Sequence, residues 1–466
     1  MSLTKSIAKN TFIQIVGKAA STLLGLAAVA IMTRSLGVEQ FGWYITAAGF
    51  LQFVGIFSDF GFTVITSKML SEPEFDKPKL LNNLFTWRFL TALFFQGLAP
   101  LIFLFFPYPA TVKIGVTIMT LSFFAISLNN IFIGWCQSQL KMIIQTTGEV
   151  LGRIILVLGL LLGSWMSFGF LFTIAIITFA SIIYTIYLWI KTPTIKFGFD
   201  KKISKKIFEK IWPTALAVIF NSFYLQGDRV ILPLYASQGD VGLYGAAYRI
   251  IDLITQVAAM IMGIMMPLVT YAWSRNLSEE FKKRFQSSFD AVLLVLMPIM
   301  AGIIVLAEPI MVIIAGKEFA GSGKILRVLA LAIFGLSFGN IFGYIALAIN
   351  RQKQAIFIYL SDAIITVAAY FYFIPKFGIY GAAGTAIFSE IYAGLALMIL
   401  CAVYAKFMPS IKQMLKIMLA SFLMAVAVQK LQPLNVVFSI LLGMSVYAIL
   451  ILLFKVISKE TIKEIV

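Results

Sequence analysis

Ionisable residues stand inside long apolar runs of this sequence, and any chemistry the chain performs starts with them. The basic ones are Lys18, Arg153, Arg229 and Arg249; the acidic ones that could answer them are Asp59, Asp252, Asp362 and Glu390. An ionisable group inside a membrane span costs at least about 2.5–3.5 kcal/mol on insertion scales, so each needs a partner or a water-filled cavity. The basic set points to an anionic ligand, because a guanidinium presents a planar fork that can donate two bonds at once to a phosphate. The acids point either to ion coupling, since a carboxylate in low dielectric can bind a proton near neutrality, or to plain charge balance. Several pairings are open. Glu149 and Arg153 are four apart, Arg249 and Asp252 three apart, and both spacings give favourable helix pairs that neutralise each other. Asp59 and Lys18 fall at a similar depth, about 10 Å from the cytoplasmic ends of their helices, and can pair. Arg88 also falls in the inner part of its helix, and Asp228 adjoins Arg229 near the outer end of another.

Other chemistries find no footing. The chain has no His, so an imidazole metal site or proton relay is excluded and any proton coupling must use carboxylates. Its two cysteines, Cys136 and Cys401, fall near expected cytoplasmic helix ends, where neither a structural disulfide nor a metal site is expected. The stretch GKEFAGSGK (316–324) lacks the spacing of a phosphate-binding loop. No cofactor and no metal are expected.

The elements that hold these residues are set by the solvent. Of the 466 residues 61% are hydrophobic and 12% charged, against roughly 25% charged in a soluble globular protein, so lipid must solvate most of the surface. Runs near twenty apolar residues place spans at 11–33, 41–65, 84–106, 112–134, 146–165, 168–190, 211–235, 243–270, 287–314, 325–349, 355–374, 378–404, 412–429 and 434–455. Pro233, Pro267 and Pro298 interrupt three of these and are either bending points or tolerated kinks. The net charge of +17 tests the count. With the N-terminus inside, most basic residues fall in cytoplasmic segments, seven of them lysines in 191–210, whereas the outer loops and their edges hold Arg34, Lys113, Lys317, Lys324, Lys376 and Lys430. Both termini are therefore expected in the cytoplasm, and nucleic acid is not an expected partner. All seven tryptophans lie within a few residues of an expected span end, the depth an indole prefers. Lys18 interrupts the first run, so this segment reads as a retained span rather than a cleaved leader.

An internal repeat appears at an offset of 200 residues: GVEQFGWYITAA (37–48) against SQGDVGLYGAAY (237–248), matching Gly42 with Gly242, Tyr44 with Tyr244 and Ala47 with Ala247. Each stretch joins the first and second helix of a six-helix set, so the repeats are parallel. The expected fold is an all-α integral membrane protein of about 14 transmembrane helices. It comprises a six-helix bundle over 1–190, a basic cytoplasmic linker over 191–210, a second six-helix bundle over 211–404, and two additional C-terminal helices over 405–466.

This arrangement, with the strings FSDFGF (57–62), VGLYGAAYRI (241–250) and PKFGIYGAAGTAIFSE (375–390), resembles the multidrug/oligosaccharidyl-lipid/polysaccharide exporter superfamily and, within it, the Wzx-type polysaccharide (O-antigen) flippases. The two extra helices resemble the lipid II flippase arrangement. The resemblance implies a central cationic cavity and the movement of an undecaprenyl-pyrophosphate-linked oligosaccharide repeat unit from the cytoplasmic to the outer leaflet of the bacterial inner membrane. It also implies alternating access, ion coupling, membrane lipids as partners, and other polysaccharide assembly proteins nearby. Lys18, Arg153, Arg229 and Arg249 are then candidate lumen cations for the pyrophosphate, and Asp59, Asp252, Asp362 and Glu390 candidates for coupling or charge balance. Two alternatives compete. A drug or cation antiporter of the same superfamily would favour acidic lumen residues over basic ones. A membrane-embedded polysaccharide polymerase or ligase would need a large catalytic outer loop, and every outer loop here is short. The chain is expected to be a carrier, not an enzyme.

Overall fold

Inside hydrocarbon each backbone N–H and C=O must find its partner within its own segment, which leaves helices as the element for apolar runs of this length. The computed structural model describes residues 3–72, 74–431 and 435–456, and every regular element among them is helical. In chain order these are α1 (Leu3–Asp59), α2 (Phe62–Ser71), α3 (Lys77–Phe103), α4 (Ala110–Ser138), α5 (Met142–Trp165), α6 (Phe170–Lys191), α7 (Lys201–Tyr235), α8 (Gln238–Ser274), α9 (Ser278–Ala315), α10 (Ala320–Leu329), α11 (Ala332–Ala348), α12 (Gln352–Ala405), α13 (Ile411–Lys430) and α14 (Val436–Leu453). Lys459 and Lys463, which the sequence places among the cytoplasmic basic residues, lie outside the described residues.

Among the described residues ten helices are long and apolar enough to cross a membrane, or eleven if the pair bent by 51° at α10–α11 is one broken span. Two of the ten are too long to cross once. α1 has 57 residues and α12 has 54, each about 80 Å at 1.5 Å per residue. Each is broken by a glycine at positive φ, Gly37 (φ 68, ψ −179) and Gly378 (φ 54, ψ −132), and so divides into two spans. With α7, which is 35 residues long, the expectation of about fourteen spans is compatible with this architecture. Two expected spans are themselves interrupted. The run at 41–65 stops at Asp59 and resumes at Phe62 across Phe60 (φ 45) and Gly61 (φ 84), and the run at 325–349 bends between α10 and α11. The prolines break nothing: α8 continues through Pro267, α9 through Pro298, and Pro233 lies in the last turn of α7.

The chain divides into two compact units, residues 1–242 and 243–466. The first extends through α7 because α7 packs against α1, α2 and α3. Its apolar core gathers Phe62 and Met69 of α2, Leu84 and Phe85 of α3, Phe132 of α4 and Ile207 of α7. The α5–α6 hairpin shows how membrane helices pack where lipid removes the hydrophobic drive between them: small residues let backbones approach. Gly148, Gly152, Gly159 and Gly163 follow one stripe of α5, and a Cβ on Gly148, Gly159 or Gly163 would meet a side chain of α6 at 2.5–2.7 Å. In the second unit α9 sets Phe285 and Phe289 against Phe338 and Phe342 of α11, and Tyr447 of α14 donates to the carbonyl of Leu294 at 2.8 Å.

Within the first unit residues 38–42 touch residues 238–242. A Cβ on Gly42 would lie 1.8 Å from the carbonyl oxygen of Gln238, and one on Gly242 would lie 2.1 Å from that of Val38. Residue 38 meets 242 and residue 42 meets 238. The contact is reciprocal. Both glycines are required by the close approach, and Thr46 adds a hydrogen bond to the Gln238 side chain at 2.8 Å.

Candidate functional site

On the first half of α1, Gly17, Lys18, Ser21 and Gly25 face α5. A Cβ on Gly17 would overlap Thr146, and one on Gly25 would lie 3.8 Å from a terminal nitrogen of Arg153. Between them Lys18 Nζ lies 3.8 Å from Glu149 Oε1, and Ser21 Oγ donates to the same oxygen at 2.6 Å. Successive turns of α1 therefore meet successive turns of α5, and the two helices run parallel, as the first and fifth spans of an alternating topology must. The expected pairs are corrected here. Glu149 serves Lys18 and Ser21 rather than Arg153, because α1 brings a cation and a hydroxyl to it from across the helix interface. Arg153 is left exposed beside the bare backbone of Gly25.

Asp59 pairs with Arg88 instead of Lys18. The Arg88 side chain is 2% exposed and lies 3.0 Å from Asp59 Oδ1. Its Nε donates to the carbonyl of Ser127 at 2.9 Å, and a terminal nitrogen donates to that of Ser58 at 2.8 Å. Thr63 Oγ1 completes the cluster by donating to Asp59. The physical reason is the helix end: α1 stops at Asp59, the last carbonyls of a helix lack internal partners, and Arg88 supplies donors to one of them and a charge to the adjacent carboxylate. This network is structural. The sequence carried a signal for it in Asp59-Phe60-Gly61, a carboxylate directly before a helix-breaking glycine.

Arg229, on α7, faces the second half of α1. Its guanidinium lies 3.4 Å from Gln52 Oε1, and its backbone is so close to Gly49 that a Cβ there would lie 2.7 Å from the Arg229 carbonyl oxygen. Asp228 is fully buried and accepts the Arg229 backbone N–H at 2.9 Å.

In the second unit Arg249 and Asp252 form the expected pair, 3.7 Å apart and each about one-third exposed. Asp362 is fully buried and accepts from Thr366 Oγ1 at 2.9 Å and from Ser389 Oγ at 3.0 Å. Ser389 comes from beyond the Gly378 break, so this carboxylate ties the two halves of α12 together. Glu390, 7% exposed, sits where the α12 backbone crosses Gly335 of α11 so closely that a Cβ on that glycine would lie 2.5 Å away. The hydroxyls of Ser21 and Ser389 were not legible as partners from sequence, because each serves a carboxylate far away along the chain, whereas Thr366 stands four residues from Asp362 on the same helix.

The chain thus places paired cations and the exposed Arg153 inside apolar helices, with several acids engaged within the protein. The family model described as polysaccharide biosynthesis protein matches residues 7–273, more than half of the chain. The chain belongs to this family. Among curated relatives, the probable low-salt glycan biosynthesis flippase Agl15 of Haloferax volcanii is 24% identical over 230 residues, which is 47% of this chain and 48% of that protein. The succinoglycan biosynthesis transport protein ExoT of Rhizobium meliloti is 22% identical over 342 residues, 70% of this chain and 66% of that protein. The match therefore spans about half of the first relative and just under two thirds of the second. Of solved structures, the lipid II flippase MurJ in an inward closed conformation superposes with a TM-score of 0.79 at 18% identity, covering 94% of this chain and 98% of that one. An inward-facing multidrug-resistance MATE transporter gives 0.66 at 14% identity, covering 83% and 94%. At such identities these likenesses establish a shared fold. The curated relatives carry the names of flippases and transport proteins rather than enzymes.

Proposed function

We propose that this member of the polysaccharide biosynthesis family is a flippase for a lipid-linked oligosaccharide, carried on undecaprenyl pyrophosphate, and that it moves this cargo from the cytoplasmic to the outer leaflet of the bacterial cytoplasmic membrane by alternating access. The observation that carries the reading is Arg153: an exposed guanidinium in the middle of α5, next to a glycine that leaves its approach open, with the neighbouring acid already held by Lys18 and Ser21. A pyrophosphate must leave water while its lipid tail stays in the bilayer, and a hydrated cation lowers that barrier. Lys18, Arg153 and Arg229 in the first unit and Arg249 in the second are assigned to the pyrophosphate. Among the acids Asp362, which accepts from two hydroxyls, and Glu390, 7% exposed, are assigned to coupling or charge balance. The family membership and the names of the curated relatives support the same cargo class. A cation antiporter is disfavoured because Asp59, Glu149 and Asp362 are engaged within the protein.

The assignment of Arg249 separates contact from charge balance. In cells depending on this protein for surface polysaccharide, at matched membrane levels, Arg249→Lys keeps the charge and loses the planar fork, so export falls. Arg249→Ala falls further. Charge balance alone would let the neutral pair Arg249→Gln with Asp252→Asn export as well as the unaltered protein, and that outcome would remove Arg249 from the cargo site.

A further inference from the structure

Residues 192–200, between α6 and α7, form no helix yet are tightly held. The backbone N–H of Lys196 donates to Asn82 Oδ1 at 3.0 Å, that of Gly198 to Thr86 Oγ1 at 2.9 Å and that of Asp200 to Asn83 Oδ1 at 2.8 Å. Asp200 then caps α7, accepting from the N–H groups of Lys202 and Ile203, and Trp87 Nε1 donates to Ser204 Oγ at 2.9 Å. The segment is a strap fixed along the first turns of α3.

What the strap presents outward is not explained by this anchoring. Phe197 touches Phe85 and Phe89, and Phe199 touches Trp87, yet these two rings remain 65% and 66% exposed. Around them Lys191, Lys196, Lys201, Lys202 and Lys205 are exposed. The acids nearby are occupied or few. Glu72 and Glu74 pair with Lys210 and Lys206, Asp200 is used as the helix cap, and Glu209 alone lies beside Lys205 at 4.0 Å. The result is a surface of outward phenyl rings set among exposed ammonium groups, of which Lys205 has Glu209 beside it. It begins where the 22-residue apolar helix α6 ends, which is the depth of lipid headgroups.

We propose that this strap is a docking surface for anionic phospholipids of the leaflet at which α6 ends. The lysines engage headgroup phosphates, and Phe197 and Phe199 enter the boundary between headgroups and acyl chains. Juxtamembrane lysines are attracted to an anionic leaflet, aromatic rings settle at its interface, and a surface carrying both gains from both. An acidic soluble protein would answer the lysines but leaves the two rings, at that depth, without a role. The inference is independent of the cargo assignment.

The test uses the full chain, solubilised and exposed to defined mixtures of phosphatidylglycerol and phosphatidylcholine, with retained lipids counted by native mass spectrometry. The unaltered protein should retain phosphatidylglycerol over phosphatidylcholine by roughly tenfold. The variant with Lys196, Lys201, Lys202 and Lys205 all changed to Gln should lose the preference, and the same four changed to Arg should keep it. Should the Gln variant fail to insert, Phe197→Ser with Phe199→Ser leaves every charge in place and should lower retention of both lipids. Equal retention of the two lipids by the unaltered protein, or an unchanged profile in the Phe variant, overturns the proposal. So does displacement of phosphatidylglycerol by polyglutamate, which would make the strap a general polyanion surface.

Discussion

Two arginines of the first unit, Arg88 and Arg153, look alike in sequence and stand in opposite surroundings. Arg88 is closed in, with two carbonyls and Asp59 taking its donors; Arg153 stands exposed in α5. Removing one partner of a buried ion pair costs about 3–5 kcal/mol because the other charge is left stranded. Arg88→Gln is therefore expected to lower the thermal midpoint of the purified protein sharply, and to take transport down only as folded protein is lost. Arg153→Gln is expected to leave the midpoint near that of the unaltered protein while transport falls. Equal stability losses in the two variants would contradict the division into a structural and a cargo-facing arginine. The sequence made the candidate charges legible, since any ionisable residue in an apolar run demands an explanation. It did not make their partners legible. Neighbours at i+3 and i+4 can be read along a helix, as for Arg249 and Asp252, but Lys18 with Glu149 and Arg88 with Asp59 depend on which helices meet and at what rotation.

At the scale of the element, hydropathy located the apolar runs because each must be about twenty residues long, but it averages over windows that hide a two-residue break. The α1–α2 break is an example: Phe60 and Gly61 at positive φ turn the chain without altering its apolar character. Glycine carries the rest of the information. Gly37 has φ 68 and ψ −179, a region essentially reserved for glycine, where another residue costs about 1–3 kcal/mol. Gly42 and Gly242 leave no room for a side chain against carbonyls of Gln238 and Val38, and forcing extra atoms into a packed interface costs typically about 1–3 kcal/mol. Gly42→Val should lower the thermal midpoint, and Gly242→Val should do so by a similar amount because the contact is reciprocal. Gly97→Val is the control, since a Cβ at Gly97 meets nothing within 4 Å. A thermal scan of the three variants that finds no difference from the control would mean that the repeat segments do not pack as described. Outside the spans, the loop after α2 adds a charge clamp on α7. The hydrogen bond from Lys206, reinforced by its charge, holds the Glu74 carboxyl below the usual carboxylate range. The clamp is therefore complete at neutral pH and is lost only as the pH falls through that lowered value.

At the scale of the whole molecule, the directions of the helices alternate as successive spans must. α1 and α5 meet turn for turn in parallel, and the α5–α6 hairpin is antiparallel, with Gly148 against Tyr184 and Gly163 against Phe172. Both follow from an alternating topology. Membership of the polysaccharide biosynthesis family and cations inside apolar helices are the support for the central proposal, that the protein moves a pyrophosphate-linked sugar across the bilayer. The most direct measurement is made with the purified chain in proteoliposomes containing an undecaprenyl-pyrophosphate-linked oligosaccharide, following with time how much sugar becomes accessible to a glycosidase that cannot cross the membrane. A hydrogen bond to a charged group contributes about 1.5–3 kcal/mol, so Arg153→Gln should slow this transfer by at least about tenfold, whereas the unaltered protein should bring inner-leaflet sugar within reach of the enzyme. Transfer no faster than in protein-free liposomes, under either direction of an imposed ion gradient, would contradict the account.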